Sequence, residues 1–331
     1  MTRCAVVGAG AWGTALADLL ARNGHDVRIW AYEWDVVEAI NRAHENRRFL
    51  KGSKLDARVR AFADINESLE GTELTTVATP SHVMRSIIRA AKGSFPSGAP
   101  VVVAAKGIEA ESLALMTDVA LSELPGSTVV ALSGPSFATE VVNCQPTAVV
   151  VASTNSDAAR FAQETFSSTY FRAYTHADVI GVEIGGALKN VMAVATGIAE
   201  GLGLGFNARA ALITRGLAEM TRLGTKLGAE ATTLAGLAGL GDLVLTCTGS
   251  LSRNRSVGVE VGRGVPLEHV LAERETVAEG VVTTRSARAL AKREGVEMPI
   301  VDAVYRVLFE NHPPRDAIGA LMSRELRSET D

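Results

Sequence analysis

Two lysines, an aspartate and an arginine carry residue types and spacings that could do chemistry. Positions 181, 185, 189, 193 and 197 fall on one ridge of a helical pattern and read Gly, Gly, Lys, Ala, Gly. Lys189 is therefore a long cation on a face stripped of bulk. Such a ridge by itself means close helix packing, and a lysine on it can snorkel to solvent. The pattern is apolar on most other faces, however, which places Lys189 in an internal cleft. Burial and a nearby second cation there disfavour the ammonium form. A fall in pKa from about 10.4 to about 7–8 costs roughly 4 kcal/mol and suits a group that exchanges protons near neutrality. Lys106 follows the apolar run Val101–Ala105 directly, and a lysine at such a strand end points toward a ligand crevice. Asp242 closes the glycine-rich run Gly236–Gly241; its carboxylate could orient a lysine or sit solvated in a loop. Ser252-Arg253-Asn254-Arg255 opens another helical pattern. Ser252 as N-cap, free backbone N–H groups and Arg253 make a phosphate site, against the plainer reading of a basic surface turn.

A second constellation stands at the start of the chain. Residues 4–13 form an apolar run ending in Gly8, Gly10 and Gly13, with a helical pattern from Thr14 to Arg22 behind it. A strand turning tightly into a helix aims backbone N–H groups and the positive helix end at one point, where a dinucleotide pyrophosphate can sit. Gly8 permits the turn, Gly10 lets the backbone approach the phosphates, and Gly13 lets the helix pack on the strand. Thr79-Pro80-Ser81-His82 and Ser133-Gly134-Pro135-Ser136-Phe137 also follow apolar runs and read as strand-to-helix turns, with Pro135 suited to a first helical turn.

These groups need a scaffold, and the remaining pattern supplies one. Val-rich runs at 3–8, 26–30, 74–79, 101–105, 128–133 and 147–152 alternate with helical patterns at 14–22, 34–46, 81–91, 111–123 and 157–167. That alternation predicts a doubly wound α/β sheet, parallel and covered on both faces. From about Asp178 the strand signal fades. Helical patterns at 179–204, 207–227, 280–294, 298–310 and 314–326 predict an all-helical second domain. The expected division is a nucleotide-binding domain over 1–178 and a helical substrate-binding and catalytic domain over 179–331. No low-complexity linker separates them.

Bulk properties exclude several classes. A chain of 331 residues, 47 % hydrophobic and 21 % charged, is globular and long enough for two cores. Its net charge of −4 argues against a nucleic-acid surface. Cys4, Cys144 and Cys247 form no CxxC, so free thiols in a reducing cytoplasm are expected. The N-terminus shows no signal-peptide pattern. The span Val179–Leu204 contains Glu183, Lys189, Asn190 and Glu200, and reads as a buried helix rather than a bilayer crossing. The six histidines show no HExxH and no Cys/His spacing, so no metal is expected. Neither a G-x-S-x-G elbow nor a P-loop occurs.

Taken in order, several segments resemble the bacterial NAD(P)-dependent sn-glycerol-3-phosphate dehydrogenase family. They are Gly8–Gly13, Thr79–His82, Ala105–Gly107, Ser133–Ala138, Gly185–Asn190, Asn207–Gly216, Gly239–Thr246, Ser252–Arg255 and Glu279–Gly280. The resemblance spans nearly the whole chain. It implies a Rossmann-type domain followed by a helical substrate domain, usually as a homodimer. It also implies interconversion of dihydroxyacetone phosphate and sn-glycerol 3-phosphate for glycerophospholipid synthesis. By that likeness Lys189 exchanges the proton at the substrate C2 oxygen, and Lys106 touches both cofactor and substrate. Gly134, Ser136, Asp242, Ser252, Arg253 and Asn254 then hold the substrate, with Asn190 and Thr246 beside the reacting centre. Cofactor contacts carry over to Ala11, Trp12, Tyr32, Ala138, Arg253, Val277 and Glu279, beside the three glycines.

The second strand, ending at Trp30, is followed by Ala31 and Tyr32 before Glu33, so no acid stands directly at its end to hold a ribose 2′-OH. Arg47 and Arg48 lie further on. NAD and NADP both stay open, with the family leaning to NADPH. The competing readings are a two-domain 3-hydroxyacid dehydrogenase, which also uses a helix-borne lysine, and a non-catalytic dinucleotide sensor. The sensor leaves Lys106, Lys189 and Arg253 without a role.

Overall fold

The computed structural model describes residues 1–274, 278–326 and 328–329. Its strands are β1 (Arg3–Val7), β2 (Asp26–Trp30), β3 (Glu45–Asn46), β4 (Leu50–Lys54), β5 (Val59–Phe62), β6 (Leu74–Val77), β7 (Val101–Val103), β8 (Val129–Ser133), β9 (Thr147–Ala152) and β10 (Phe171–His176). Eight of them form one sheet in the order β10-β9-β8-β7-β6-β1-β2-β5, while β3 and β4 make a small antiparallel ribbon. β1 is central and parallel to both neighbours, with Val7 opposite Trp30 on one side and Val77 on the other. The chain travels outward from β1 through β2 to β5, then returns across β1 to continue through β6. The carboxyl ends of β1 and β6 thus flank the point where strand order reverses, the place where open α/β sheets bind ligands. β6 is buried along its whole length and β1 from Cys4 onward, because strands covered on both faces must be apolar almost throughout.

Some local expectations change. β3, β4, β5 and β10 carry no Val-rich run and were not predicted; β4 and β10 are half exposed, so their composition is largely polar. The helix predicted over 34–46 stops at Ala43, since His44 takes a left-handed conformation (φ 51°) that turns the chain into β3. The pattern at 111–123 becomes helical only from Met116, because Leu113 has φ 59° and Ile108 bridges Leu115. β9 runs antiparallel to β8, so the sheet is mainly rather than wholly parallel. Pro135 precedes a helix that starts at Ala138 and lies outside its first turn.

Past His176, two residues lead into the helix Val179–Gly201. By length and apolarity it could cross a bilayer, yet Gly181–Ala199 are all buried inside the protein. A helix apolar on every face becomes the core about which others pack. Helices Phe206–Lys226, Asp242–Thr248, Arg253–Gly262 and Glu279–Glu294 surround it. The tightest approach is made by glycines on both partners. A Cβ on Gly197 would lie 2.1 Å from the Arg255 carbonyl oxygen, and one on Gly258 would lie 2.2 Å from that of Val194. The small-residue ridge is therefore a packing surface along part of its length. It draws the Arg253 helix against the Lys189 helix.

Two carboxylates are buried in this arrangement, each capping the start of a helix. Glu183 on the core helix accepts the Thr117 backbone N–H (2.8 Å) and the Thr117 hydroxyl. Glu219 accepts the N–H groups of Ile300 (2.7 Å) and Val301 (3.3 Å). Burial pushes both carboxyls up to about 7, outweighing the hydrogen bonds that favour their charge.

Candidate active site

Gly8 follows β1 at φ +111°, a conformation open to glycine, and a Cβ there would sit 3.0 Å from Thr79 Cγ2 across the β1/β6 crevice. Gly10 is the N-cap of helix Ala11–Arg22, which has no side-chain cap and no acid in its first turn. Its backbone donors are thus uncommitted. A Cβ on Gly10 would meet nothing within 4 Å, whereas one on Gly13 would lie 1.9 Å from the Gly8 carbonyl oxygen. Gly13 is required by the fold itself. Gly10 borders open space. Trp12 Nε1 and Thr79 Oγ1 are buried without hydrogen-bond partners. An uncapped helix start, an open glycine edge and these unpartnered polar atoms fit a dinucleotide at this crevice. Ala11 and Trp12 form the first helical turn, and Tyr32 stands largely exposed beyond the end of β2.

A second convergence lies where the two halves meet. Lys189 is 8 % exposed and its Nζ donates to Asp242 Oδ1. Lys106, just past β7, donates from Nζ to Asp242 Oδ2 at 2.7 Å and to the Gly134 carbonyl at 3.1 Å. Asp242 is fully buried at the start of helix Asp242–Thr248, so the reading of a solvated loop aspartate is excluded. One carboxylate between two ammonium groups leaves the site locally positive. Desolvation lowers the Lys189 pKa to about 8; Asp242 opposes this and Lys106 reinforces it. Glycine makes the approach possible, since a Cβ on Gly186 would lie 2.6 Å from Ser133 Oγ and 3.5 Å from Lys106 Cδ. Thr246, one turn beyond Asp242, returns its hydroxyl to the Asp242 carbonyl (2.6 Å). Its neighbour Cys247 is buried, and its thiol is pushed up to about 12, so it stays an inert apolar filler.

The phosphate-type residues lie alongside. Ser252 caps helix Arg253–Gly262, accepting the Arg255 N–H at its side chain (3.3 Å). Arg253 is exposed as a residue and so can reach a ligand, although protein packed around its guanidinium desolvates the charge and lowers its pKa against the pull of Glu279. Asn254 donates to Asn190 Oδ1 (2.8 Å) and accepts from the Gly280 N–H (2.9 Å). It thereby ties the Lys189 helix to helix Glu279–Glu294. Glu279 crosses to the first half, where its carboxylate accepts the Ser81 N–H (3.2 Å) and hydroxyl (2.9 Å). Ser136 donates to the Gly134 carbonyl (3.0 Å), the same oxygen that Lys106 uses. Ala138 opens the short helix behind this turn. Val277 lies outside the described residues. No metal-binding cluster of His, Cys, Asp and Glu occurs among the described residues. A large cavity of about 1070 Å³ lies elsewhere, between helices Phe206–Lys226 and Pro314–Met322, and none of these site residues lines it.

Family models for the N- and C-terminal parts of NAD-dependent glycerol-3-phosphate dehydrogenase match residues 3–159 and 178–319. The chain belongs to that family. It is 50 % identical over 330 residues to glycerol-3-phosphate dehydrogenase [NAD(P)+] of Citrifermentans bemidjiense, covering 99 % of this chain and 98 % of the relative. It is 52 % identical to the enzyme so named from Geobacter sulfurreducens, with the same coverage. The crystal structure of glycerol-3-phosphate dehydrogenase from Coxiella burnetii superposes with a TM-score of 0.94 at 41 % identity, covering 98 % of this chain and 99 % of that one.

Sequence reasoning missed several pairings around this candidate site, although Ser81 belongs to the Thr79–His82 turn it singled out. Ser81 beneath Glu279, Thr117 beneath Glu183 and Glu200 beneath Arg255 all lie far apart in sequence from their partners. Asn46, fully buried and donating to the Ala9 carbonyl and Thr14 Oγ1 (both 2.8 Å), supports the glycine turn. It fell inside a predicted helix and carried no local signal.

Proposed function

We propose that this protein interconverts dihydroxyacetone phosphate and sn-glycerol 3-phosphate using NAD(P)H, in support of glycerophospholipid synthesis. The observation that carries the proposal is a fully buried Asp242 holding Lys189 and Lys106 at the junction of the halves, in a chain of this family. When bound, the dihydronicotinamide supplies the hydride. Lys189 delivers a proton to the oxygen on the substrate's central carbon during reduction and withdraws it during oxidation. Asp242 holds both ammonium groups in register, and Lys106 adds positive charge where negative charge develops on that oxygen. Ser252, Arg253 and Asn254, with the helix start, grip the phosphate. Binding energy from that non-reacting group then fixes the geometry of the reacting one.

On the cofactor side, Gly8, Gly10, Ala11 and Trp12 line the pyrophosphate turn, Tyr32 borders the ribose, and Lys106, Ala138, Arg253 and Glu279 complete the contacts. NADPH is favoured over NADH. No acid stands directly after β2, while the Arg48 guanidinium lies 3.7 Å from Asp35, in the first turn of the following helix, and stacks on Phe49. No metal takes part in this reading. We place the domain division at Asp178, between β10 and the core helix, the assembly as a homodimer and the setting as cytoplasmic, which suits three free cysteines.

The deciding experiment follows NADPH and NADH oxidation with dihydroxyacetone phosphate, its unphosphorylated analogue and 3-hydroxyacid-type keto substrates. Turnover selective for the phosphorylated ketone supports the proposal; preference for a carboxylate substrate overturns it. Light scattering at micromolar concentration reads the dimer directly.

A further inference from the structure

Arg255 belongs to the same basic turn as Arg253 yet points elsewhere. Its Nε donates to the Gly249 carbonyl (3.2 Å), and its guanidinium pairs with Glu200, which also accepts from Arg209 at 2.9 Å. The Arg255 side chain is 14 % exposed and that of Glu200 35 %, so the contact is half-buried, enclosed on the Arg255 side. Glu200 lies in the last turn of the Lys189 helix, about 16 Å along the axis from Lys189. Gly249 ends the preceding helix, three residues before Ser252. A planar guanidinium serves the carbonyl and the carboxylate from separate N–H groups held in one rigid fork, whereas an ammonium must reach both from a single nitrogen. The turn that presents Ser252 and Arg253 is thereby tied to the helix that carries Lys189.

We infer that Arg255 and Glu200 are positioning residues that set the separation between the phosphate grip at Ser252–Asn254 and the proton-exchanging Lys189. The inference rests on the phosphate grip proposed above. Neither residue touches substrate. Their effect is to hold the turn 249–252 so that a phosphorylated three-carbon substrate spans both sites.

Steady-state kinetics of Arg255→Met, Arg255→Lys and Glu200→Gln test this, alongside Arg253→Ala as a control. KM for dihydroxyacetone phosphate should rise at least tenfold in Arg255→Met and less in Arg255→Lys, which keeps the charge toward Glu200. NADPH affinity and turnover of unphosphorylated dihydroxyacetone should stay within twofold of wild type. A folded Arg255→Met with unchanged KM overturns the inference, as does an equal loss on both substrates. Should Arg255→Met not fold, Glu200→Gln decides: a KM rise of threefold or more supports the inference and none overturns it. If Arg253→Ala leaves KM unchanged, the phosphate grip itself fails. A raised KM in Arg253→Ala with normal Arg255 and Glu200 variants removes only the positioning role.

Discussion

The proton exchange proposed for Lys189 suits surroundings that make its charge expensive without abolishing it. Burial drives its pKa down to about 8, and Asp242 keeps it from falling further. Reduction needs the ammonium and oxidation needs the amine, so the two directions should respond oppositely to pH. Turnover for ketone reduction should fall as pH rises through about 8, while turnover for alcohol oxidation should rise over the same interval. Profiles measured in both directions that show no inflection between pH 7 and 9 would remove Lys189 as the titrating group. Lys189→Ala should lower kcat by about 10²- to 10⁴-fold with NADPH binding retained, read by stopped-flow turnover and cofactor fluorescence titration. Loss of cofactor binding in the folded variant would instead assign this lysine to the cofactor site.

At the scale of elements, Gly10 and Gly13 separate the proposed cofactor contact from a demand of the fold. Gly10→Val adds a side chain where the protein leaves open space, so melting temperature should hold while NADPH affinity drops. Gly13→Ala should fail at the folding level, since its methyl would overlap the Gly8 carbonyl. Equal effects of the two substitutions on melting temperature would contradict this division. The Glu183–Thr117 contact between the core helix and helix Met116–Glu123 makes a second case. The carboxyl titrates at about 7 in the fold against about 4.5 unfolded, so the folded state favours its neutral form. Its contribution is therefore intact below about pH 4.5 and is lost as pH rises to about 7, a cost on the order of 3 kcal/mol. Glu183→Gln keeps an acceptor for the Thr117 N–H and gains a donor for the Thr117 hydroxyl, but cannot ionise. By urea titration it should be more stable than wild type at pH 8, with the gap narrowing toward pH 5. A gap independent of pH would mean that ionisation of Glu183 is not its cause.

For the molecule as a whole, the site is also the seam. Lys106–Asp242, Ser81–Glu279 and Thr117–Glu183 all join the sheet half to the helical half. Two halves tied by buried and half-buried polar contacts should unfold together. The three tryptophans, Trp12, Trp30 and Trp34, all report on the first half, whereas helical ellipticity reports on both. Urea transitions followed by fluorescence and by far-ultraviolet circular dichroism should coincide, and saturating NADPH should move both upward together. Two resolved midpoints would show that the seam does not couple the halves.

The doubly wound sheet, the glycine turn, the core helix and the candidates Lys106, Lys189, Asp242 and Arg253 were legible from sequence. Their signals are local: an apolar run, a glycine spacing, a cation on a small-residue ridge. What tertiary structure alone decided is who meets whom. Nothing near Asp242 announces that its two oxygens take lysines more than fifty residues away in either case, and nothing near Glu200 announces Arg255. The short strands β3, β4 and β5 and the antiparallel direction of β9, itself foreseen as a strand at 147–152, were equally hidden, because pairing depends on backbone partners rather than on a strand's own side chains. Local pattern settles which element a segment becomes, since periodicity is a property of neighbours along the chain. Hydrogen-bond partners and pKa values arise from desolvation and distance, which exist only after the chain has closed on itself.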